Sequence, residues 1–225
     1  MKITWLGHAA FLLETGTSQG AVRVILDPYS PQIGYQPINE AAHVVTLSHD
    51  NPKWHSCLDD IHGEPQIVRG LDLAGHIVHV KGLGFRAVQV FEELDYETRQ
   101  GDGPNAMIWL ESEGLRVLHM GDVGHRLDDS FVAACGDVDV LLALAGGPPT
   151  IELDDLKDFI DRLRPRIVIP MHFAVPELIL KLQPVEDFLA LFPPDSLRYE
   201  SSHTLTLTRD TLPPELTIHV LQHAR

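Results

Sequence analysis

The chain has 225 residues, and its 44% hydrophobic and 22% charged residues are typical of a folded globular protein and exclude wholesale disorder. Lys and Arg number 17 against 32 Asp and Glu, so the formal net charge is −15, which argues against a nucleic-acid or membrane-surface partner. No apolar run is long enough to cross a bilayer, and the two cysteines rule out a disulfide framework, so we expect a soluble, cytoplasmic protein.

The first half of the chain predicts β-strands in close succession, which implies antiparallel sheet. Short apolar runs that end in turn or polar residues lie at residues 1–15, 23–30, 43–50 and 66–70. Two longer segments, residues 76–93 and 106–122, predict hairpins with turns at residues 81–84 and 112–114. The acidic, glycine-containing residues 92–104 predict a mobile loop over the cleft.

The second half alternates strands with helices. Buried strands are predicted at residues 138–147 and 166–173, short helices at 127–135 and 185–192, and an amphipathic helix at 151–164 that Pro165 ends. Residues 203–210 and 216–222 alternate like the two strands of an antiparallel hairpin. These elements predict two sheets with helices outside them in one domain, residues 1–225.

Ligand-type side chains follow three of the apolar strands. His49 and Asp50 end the strand at 43–50, Asp122 ends the hairpin at 106–122, and His172 lies near the end of the strand at 166–173. Because strand ends at one rim of a sheet deliver side chains to one place, two imidazoles and a carboxylate are expected to converge there. Such a nitrogen and oxygen donor set suits zinc, manganese or iron.

The chain resembles the metallo-β-lactamase superfamily, and within it the short metal-dependent hydrolases related to L-ascorbate-6-phosphate lactonase. The matching segments occur in family order and are WLGHAAFLLE, VILDPYS, VVTLSHD, GPNAMIWLE, GLRVLHMGDVGH, VDVLLALAGGPPTI and IVIPMHF. The resemblance implies an α/β fold, the four-layer αβ/βα sandwich, with two mixed sheets, helices on the outer faces and a metal site along the edge between the sheets.

The metal signature of this family departs from its pattern here. The family has His-any-His-any-Asp-His, whereas this chain has His49, then Asn51, Lys53 and Trp54 at the three later positions. His55 follows one residue late and is a substitute ligand if the loop carries an insertion.

Three further positions follow from the same resemblance. Glu92 stands near the place of the family's third histidine. Asp122 matches the bridging carboxylate and His172 matches the last ligand.

These matches imply one divalent metal, Zn or Mn, held by the side chains His49, His55, Asp122 and His172, or a site that has lost its metal. Asp122 would also orient a water molecule, and His8, in the turn after the first strand, is assigned a catalytic role beside the site or a structural one.

Two functions remain open from the sequence. The first is a metal-dependent hydrolase of a small molecule, of the lactone or phosphoester class, with an altered metal site. The second is a catalytically silent relative that binds a ligand or partner without metal, which Asn51, Lys53 and Trp54 favour. The net charge disfavours a nuclease, and the sequence predicts no oligomeric state.

Overall fold

Strands make up most of the regular structure of this computed structural model, which describes residues 1–18, 20–73, 75–95, 97–98 and 100–225. The strands are β1 (Lys2–Gly7), β2 (Ala10–Thr17), β3 (Gly20–Leu26), β4 (Glu40–Ala41), β5 (Val44–Leu47), β6 (Ile61–His62), β7 (Gln66–Arg69), β8 (Val78–Val80), β9 (Leu83–Leu94), β10 (Gly101–Ser112), β11 (Leu115–His119), β12 (Val140–Leu144), β13 (Ile167–Met171), β14 (Leu197–Tyr199), β15 (Thr204–Thr206) and β16 (Thr217–Val220). The helices are α1 (Asp129–Cys135), α2 (Leu153–Leu163) and α3 (Val185–Leu189).

In the described part of the chain, the strands form two large mixed sheets. One has six strands in the order β15-β1-β2-β3-β5-β7, and the other has eight in the order β14-β16-β13-β12-β11-β10-β9-β8. Antiparallel pairs join β1 to β2 and β9 to β10, whereas β11, β12 and β13 run parallel. The first half therefore gives mainly antiparallel sheet as predicted. The exceptions are β5, which pairs in parallel with both β3 and β7, and the small parallel pair of β4 and β6.

The main core lies between the two sheets. Alternate residues of the six-stranded sheet, such as Phe11 and Leu13 of β2, pack into one cluster with Ile108 and Leu118 of the other sheet. Because side chains alternate between the faces of a strand, the residues between them point to the opposite face. Leu12 accordingly belongs to a second cluster outside the six-stranded sheet.

The outer layers complete an α/β sandwich, which confirms the predicted fold class. Every residue of β12 and β13 is buried, as expected for strands covered on both faces. Helix α2 buries Leu156, Phe159 and Ile160 in the main core, as its periodicity predicts. Outside the six-stranded sheet, a segment with a 3₁₀ turn at Pro31–Ile33 supplies buried residues of the second cluster.

The predicted mobile loop at residues 92–104 is wrong over most of its length. Strands β9 and β10 continue into it, with Phe91 opposite Pro104 and Leu94 opposite Gly101. Tyr96 and Arg99 fall outside the described residues. Acidic residues and glycines have low strand propensity, so the sequence alone does not indicate strands here. Pairing between β9 and β10 compensates for that low propensity.

The predicted C-terminal hairpin is also wrong. β15 pairs antiparallel with β1 in the six-stranded sheet, whereas β16 pairs in parallel with β13 and β14 in the other sheet. Alternation establishes that each run is a strand, but not which neighbour it pairs with.

No helix in the described ranges combines the length and the apolar content needed to cross a membrane.

Candidate metal centre

Five ligand-type residues follow the ends of strands at the edge between the two sheets. His8 follows β1, Asp27 follows β3, His49 comes two residues after β5, Asp122 follows β11 and His172 follows β13. This is the convergence that the strand ends predict. His8, Asp27 and His172 adopt positive φ angles of 50°, 41° and 54°, a region that non-glycine residues seldom occupy and that often marks functional sites.

The turn after β1 is built to present His8. Gly7 has a φ of +130°, and a Cβ on it would lie 2.8 Å from the Tyr35 ring, so only glycine fits. The carbonyl of His8 accepts hydrogen bonds from the Trp5 indole at 3.0 Å and from the backbone N–H of His172 at 3.1 Å. The sequence did not single out Tyr35, because a buried tyrosine carries no motif of its own.

A tight turn brings His55 into the cluster despite its shifted position in the sequence. The carbonyl of Asn51 accepts from the backbone N–H groups of Trp54, His55 and Ser56 at 3.1, 2.8 and 3.0 Å. The structure therefore places His55 fully buried among the other histidines, with ring centroids 4.7 Å from His49, 5.2 Å from His8 and 5.9 Å from His172.

Two carboxylates flank the His55 ring. Nδ1 lies 3.2 Å from Oδ2 of Asp27, and Nε2 lies 3.4 Å from Oδ2 of Asp122. Oδ1 of Asp122 lies 3.3 Å from Nε2 of His172, so Asp122 spans two histidines. The Asp122 side chain is 20% exposed, which makes it the part of this group open to an incoming molecule.

Asp27 fixes the orientation of two histidines at once. Its Oδ2 accepts the Nδ1–H of His55, and it also accepts the Ser48 hydroxyl at 2.5 Å. With its proton donated to Asp27, the Ser48 oxygen accepts from Nδ1 of His49 at 2.9 Å. Both imidazoles therefore direct Nε2 into the cluster, as metal-binding histidines do when a carboxylate holds their other nitrogen.

His119, the last residue of β11 and three residues before Asp122, has a structural role. Its Nε2–H donates to the carbonyl of Ala9 at 2.8 Å, and its Nδ1 accepts from the backbone N–H of Gly121 at 3.0 Å. Both ring nitrogens are thus engaged, and burial lowers its pKa.

The histidines of the cluster differ in the direction in which their pKa values are shifted. Burial opposes a charge on His55, but Asp122 and Asp27 outweigh it and raise the pKa of His55 to about 10. Burial lowers the pKa of His172 to about 4, against the attraction of Asp122. Burial, then the neighbouring His172 and His55, holds the pKa of His8 well below its usual value. His8 and His172 are neutral at pH 7 and present lone pairs.

The unpartnered donor atoms test whether these residues suit a metal ion. Buried atoms without a hydrogen bond include both ring nitrogens of His8, Nε2 of His49, Nε2 of His55, Oδ1 of Asp122 and Nδ1 of His172. Unpaired buried polar atoms are costly and need an explanation. Two sets have ligand atoms all within 4.8 Å of one another, His49 with His55 and Asp122, and His8 with His55 and His172. The donors fit one divalent ion, and the two sets share His55.

The remaining substituted positions line the approach to the cluster. The Trp54 ring lies 5.3 Å from the His8 ring, and Nζ of the exposed Lys53 lies 5.0 Å from the centre of the Trp54 ring. Oε1 of Glu92 lies 3.9 Å from Nε2 of His49. Burial and then the charge of Asp122 raise the pKa of Glu92.

Comparison with known proteins identifies the class. The sequence model of a protein family, the beta-lactamase superfamily domain, matches residues 2–172, which is more than half of the chain. A crystal structure from Thermotoga maritima, named as a candidate Zn-dependent hydrolase of the metallo-β-lactamase superfamily, is 33% identical and has a TM-score of 0.77, covering 98% of this chain and 97% of that one. The chain belongs to the metallo-β-lactamase superfamily.

Within the superfamily, the chain is similar to curated proteins named as UPF0173 metal-dependent hydrolases. A UPF0173 metal-dependent hydrolase of Archaeoglobus fulgidus is 27% identical and covers 80% of this chain and 87% of its own. One from Pyrobaculum arsenaticum is 29% identical and covers 84% and 91%. Their names state no substrate, so the closer resemblance to L-ascorbate-6-phosphate lactonase stays a prediction.

Proposed function

We propose that this protein is a hydrolase that uses one divalent metal ion, Zn or Mn, to cleave a small molecule of the lactone or phosphoester class. The observation that carries the proposal is the convergence of buried, unpartnered imidazole nitrogens and a carboxylate oxygen at the sheet edge. The names of the relatives, which are metal-dependent hydrolases, support the same chemistry.

The proposed ligands are His49, His55, Asp122 and His172. A bound divalent ion lowers the pKa of a water molecule to about 7 and polarises the bond under attack. A catalytic zinc site uses about three protein ligands and leaves one position open, so four candidate donors are sufficient for one ion. Two ions are not proposed, because His55 belongs to both donor sets and has one free nitrogen.

The chain's own groups have separate roles in this proposal. Asp27 holds the His55 ring directly and the His49 ring through Ser48. These hydrogen bonds fix both rings in one orientation, with the two Nε2 atoms facing the cluster. The partly exposed carboxylate of Asp122 accepts a hydrogen bond from the attacking water. The buried, neutral ring of His8, whose two nitrogens have no hydrogen-bond partner, takes a proton from the reacting groups or gives one to them.

The surroundings of the site favour a small substrate. The net charge of −15 repels phosphate backbones. Glu92, Asp122 and Trp54 stand around the histidines, so the entrance combines carboxylates with one aromatic face.

Hydrolysis assays test this proposal. Aliphatic lactones and aryl phosphomonoesters and phosphodiesters should be offered to the Zn- and Mn-loaded protein, to Asp122→Asn and to Asp187→Asn, which changes an exposed carboxylate of α3. Turnover that Asp122→Asn reduces at least about 100-fold and Asp187→Asn leaves unchanged supports the proposal. Equal rates in the parent and Asp122→Asn contradict it.

A second candidate function is ligand or partner binding without catalysis. It is favoured by Asn51, Lys53 and Trp54 at three family ligand positions. It is also favoured by the two carboxylates beside His55, which raise the pKa of His55 to about 10 and so stabilise its charged form, which cannot bind a metal through Nε2. A protein that takes up no metal and still holds a ligand at this edge would support the second function.

A further inference from the structure

A second concave site lies at the opposite end of the eight-stranded sheet from the histidine cluster. Arg116 stands near the start of β11, which leads to Asp122, and Arg166 precedes β13, which leads to His172. The members of each pair are six residues apart along a segment that is largely strand, which corresponds to at most about 20 Å. A groove of about 620 Å³ lies at the arginine end, and it is therefore separate from the candidate metal centre.

This groove concentrates positive charge on an acidic protein. Its charged residues are Arg116, Arg164, Arg166, Arg209, Asp137 and Asp139. Four of the 17 basic residues of the chain thus face one groove, where arginines exceed aspartates by two, although the whole chain has a net charge of −15. Such a local reversal of charge attracts anions that the rest of the surface repels.

The two aspartates are already engaged by Arg116. Its Nε lies 3.0 Å from Oδ2 of Asp139, and its terminal nitrogens lie 3.1 Å from Oδ1 of Asp139 and 2.8 Å from Oδ2 of Asp137. Arg209 donates to the carbonyl of Gly114 at 2.8 Å and lies 3.6 Å from Asp139. The two carboxylates of the groove therefore pair with Arg116 and Arg209.

Arg164 and Arg166 retain donors for an incoming group. Within the described ranges no carboxylate pairs with either residue, and Arg166 donates to the backbone carbonyl of Pro214. Both side chains are exposed, on either side of the buried Pro165. A guanidinium has five N–H donors in a planar fork that matches the oxygens of a phosphate or carboxylate.

The backbone that carries these arginines is held in place. The N–H of Arg166 donates to the carbonyl of Asp139 at 3.0 Å, and its own carbonyl accepts from Thr217 at 3.0 Å. Arg164 ends α2 with φ +54°, where glycine or asparagine is usual, and its N–H donates to Ile160 at 2.9 Å. With the backbone fixed in this way, the ordering cost of binding is confined to the two arginine side chains.

We propose that this groove binds a small oxyanion, the phosphate or carboxylate group of an organic molecule, between Arg164 and Arg166. The shared chemistry is a group with two or more acceptor oxygens. Arg209 adds long-range attraction, and the ring faces of Pro213 and Pro214 supply apolar contact for the rest of the molecule. This site is independent of the proposed hydrolase activity.

Calorimetric titration at low ionic strength tests the proposal, with inorganic phosphate and succinate as the two probes. The double variant Arg164→Gln/Arg166→Gln should bind at least about tenfold more weakly, because charge-assisted hydrogen bonds are lost. Arg198→Gln is the matched control, since it removes an exposed arginine outside the groove that, among the described residues, bonds only backbone carbonyls. Asp137→Asn should bind more tightly, because it removes a negative charge from the groove. His172→Ala should bind normally.

Saturable binding of either probe with this variant pattern supports the proposal, and the preferred probe identifies the oxyanion as phosphate or carboxylate. Absence of saturable binding by both probes overturns it. A loss in Arg198→Gln equal to that in the double variant would also overturn it, since it would show general charge attraction. A loss confined to His172→Ala would place the anion at the metal centre instead.

Discussion

The Nδ1–H of His55 donates to Oδ2 of Asp27 over 3.2 Å, and both side chains are fully buried. The same oxygen accepts the Ser48 hydroxyl, which in turn accepts from His49. One carboxylate thereby sets which nitrogen two histidines present to the centre of the cluster. This relationship accounts for how a chain with an altered ligand signature can still assemble a donor set.

Replacement of Asp27 by Asn is expected to lower metal affinity by about 10- to 100-fold, the usual effect of removing the group that orients ligating histidines. The metal dissociation constant, measured by competition with a chelating dye, checks it. Asp187→Asn provides the control, because its carboxylate is exposed on α3. An unchanged dissociation constant in Asp27→Asn would show that the two histidines do not need this anchor.

His8→Gln is expected to keep the metal and to lose most of the turnover, because His8 is proposed to act on protons beside the ion. Metal content and kcat should be measured on the same preparation. Loss of metal together with activity would instead make His8 a ligand, through the donor set that it forms with His55 and His172.

The Asp139 carboxylate is expected to make stability depend on pH. Burial alone would raise the pKa of Asp139, but hydrogen bonds from Arg116 outweigh it and hold the pKa below its usual value. A depressed pKa in the folded state stabilises the protein above the unfolded pKa of about 4, and the contribution is lost as the pH falls through the folded value.

Asp139→Asn should therefore lower the free energy of unfolding by about 2 kcal/mol at pH 7, and the difference from the parent should shrink below pH 4. Urea unfolding at a series of pH values measures both quantities. A difference that stayed constant from pH 7 to pH 3 would rule out this carboxylate as its source.

Phe159→Ala tests the packing of α2 on the sheet. Phe159 is 0% exposed, and truncation of a buried phenylalanine costs about 3–5 kcal/mol through lost burial and the remaining cavity. Asp158→Ala on the exposed face of the same helix should cost less than about 1 kcal/mol, since it removes one surface ion pair. Equal losses in the two variants would contradict the assigned helix face.

Local patterns predict much of this fold. The helical period of Leu156, Phe159, Ile160 and Leu163 places α2 and its buried face correctly, because that information lies within three turns of chain. The sequence does not predict which strands pair when they are far apart in the chain. β15 and β16 alternate like a hairpin yet join different sheets, since the partner of a strand depends on surfaces far away in the sequence.

In the candidate site, too, the sequence predicts some features, and others depend on contacts that form only in the folded chain. The strand ends predict that His49, Asp122 and His172 converge, since the geometry of a sheet edge imposes it. The position of His55 depends on the turn closed by the Asn51 carbonyl, and the spacing in the sequence leaves that turn undetermined. The double role of Asp27 requires Ser48 to bridge to His49 in space, and no sequence motif records such a bridge.

The measurement that tests the central claim most directly is elemental analysis of protein purified without chelator or affinity-tag metal, before and after incubation with Zn or Mn. The proposed centre predicts about one metal ion per chain, abolished by His172→Ala and by Asp122→Ala while circular dichroism shows the fold retained. Two results would contradict it: no metal under any condition, or full metal content in both variants.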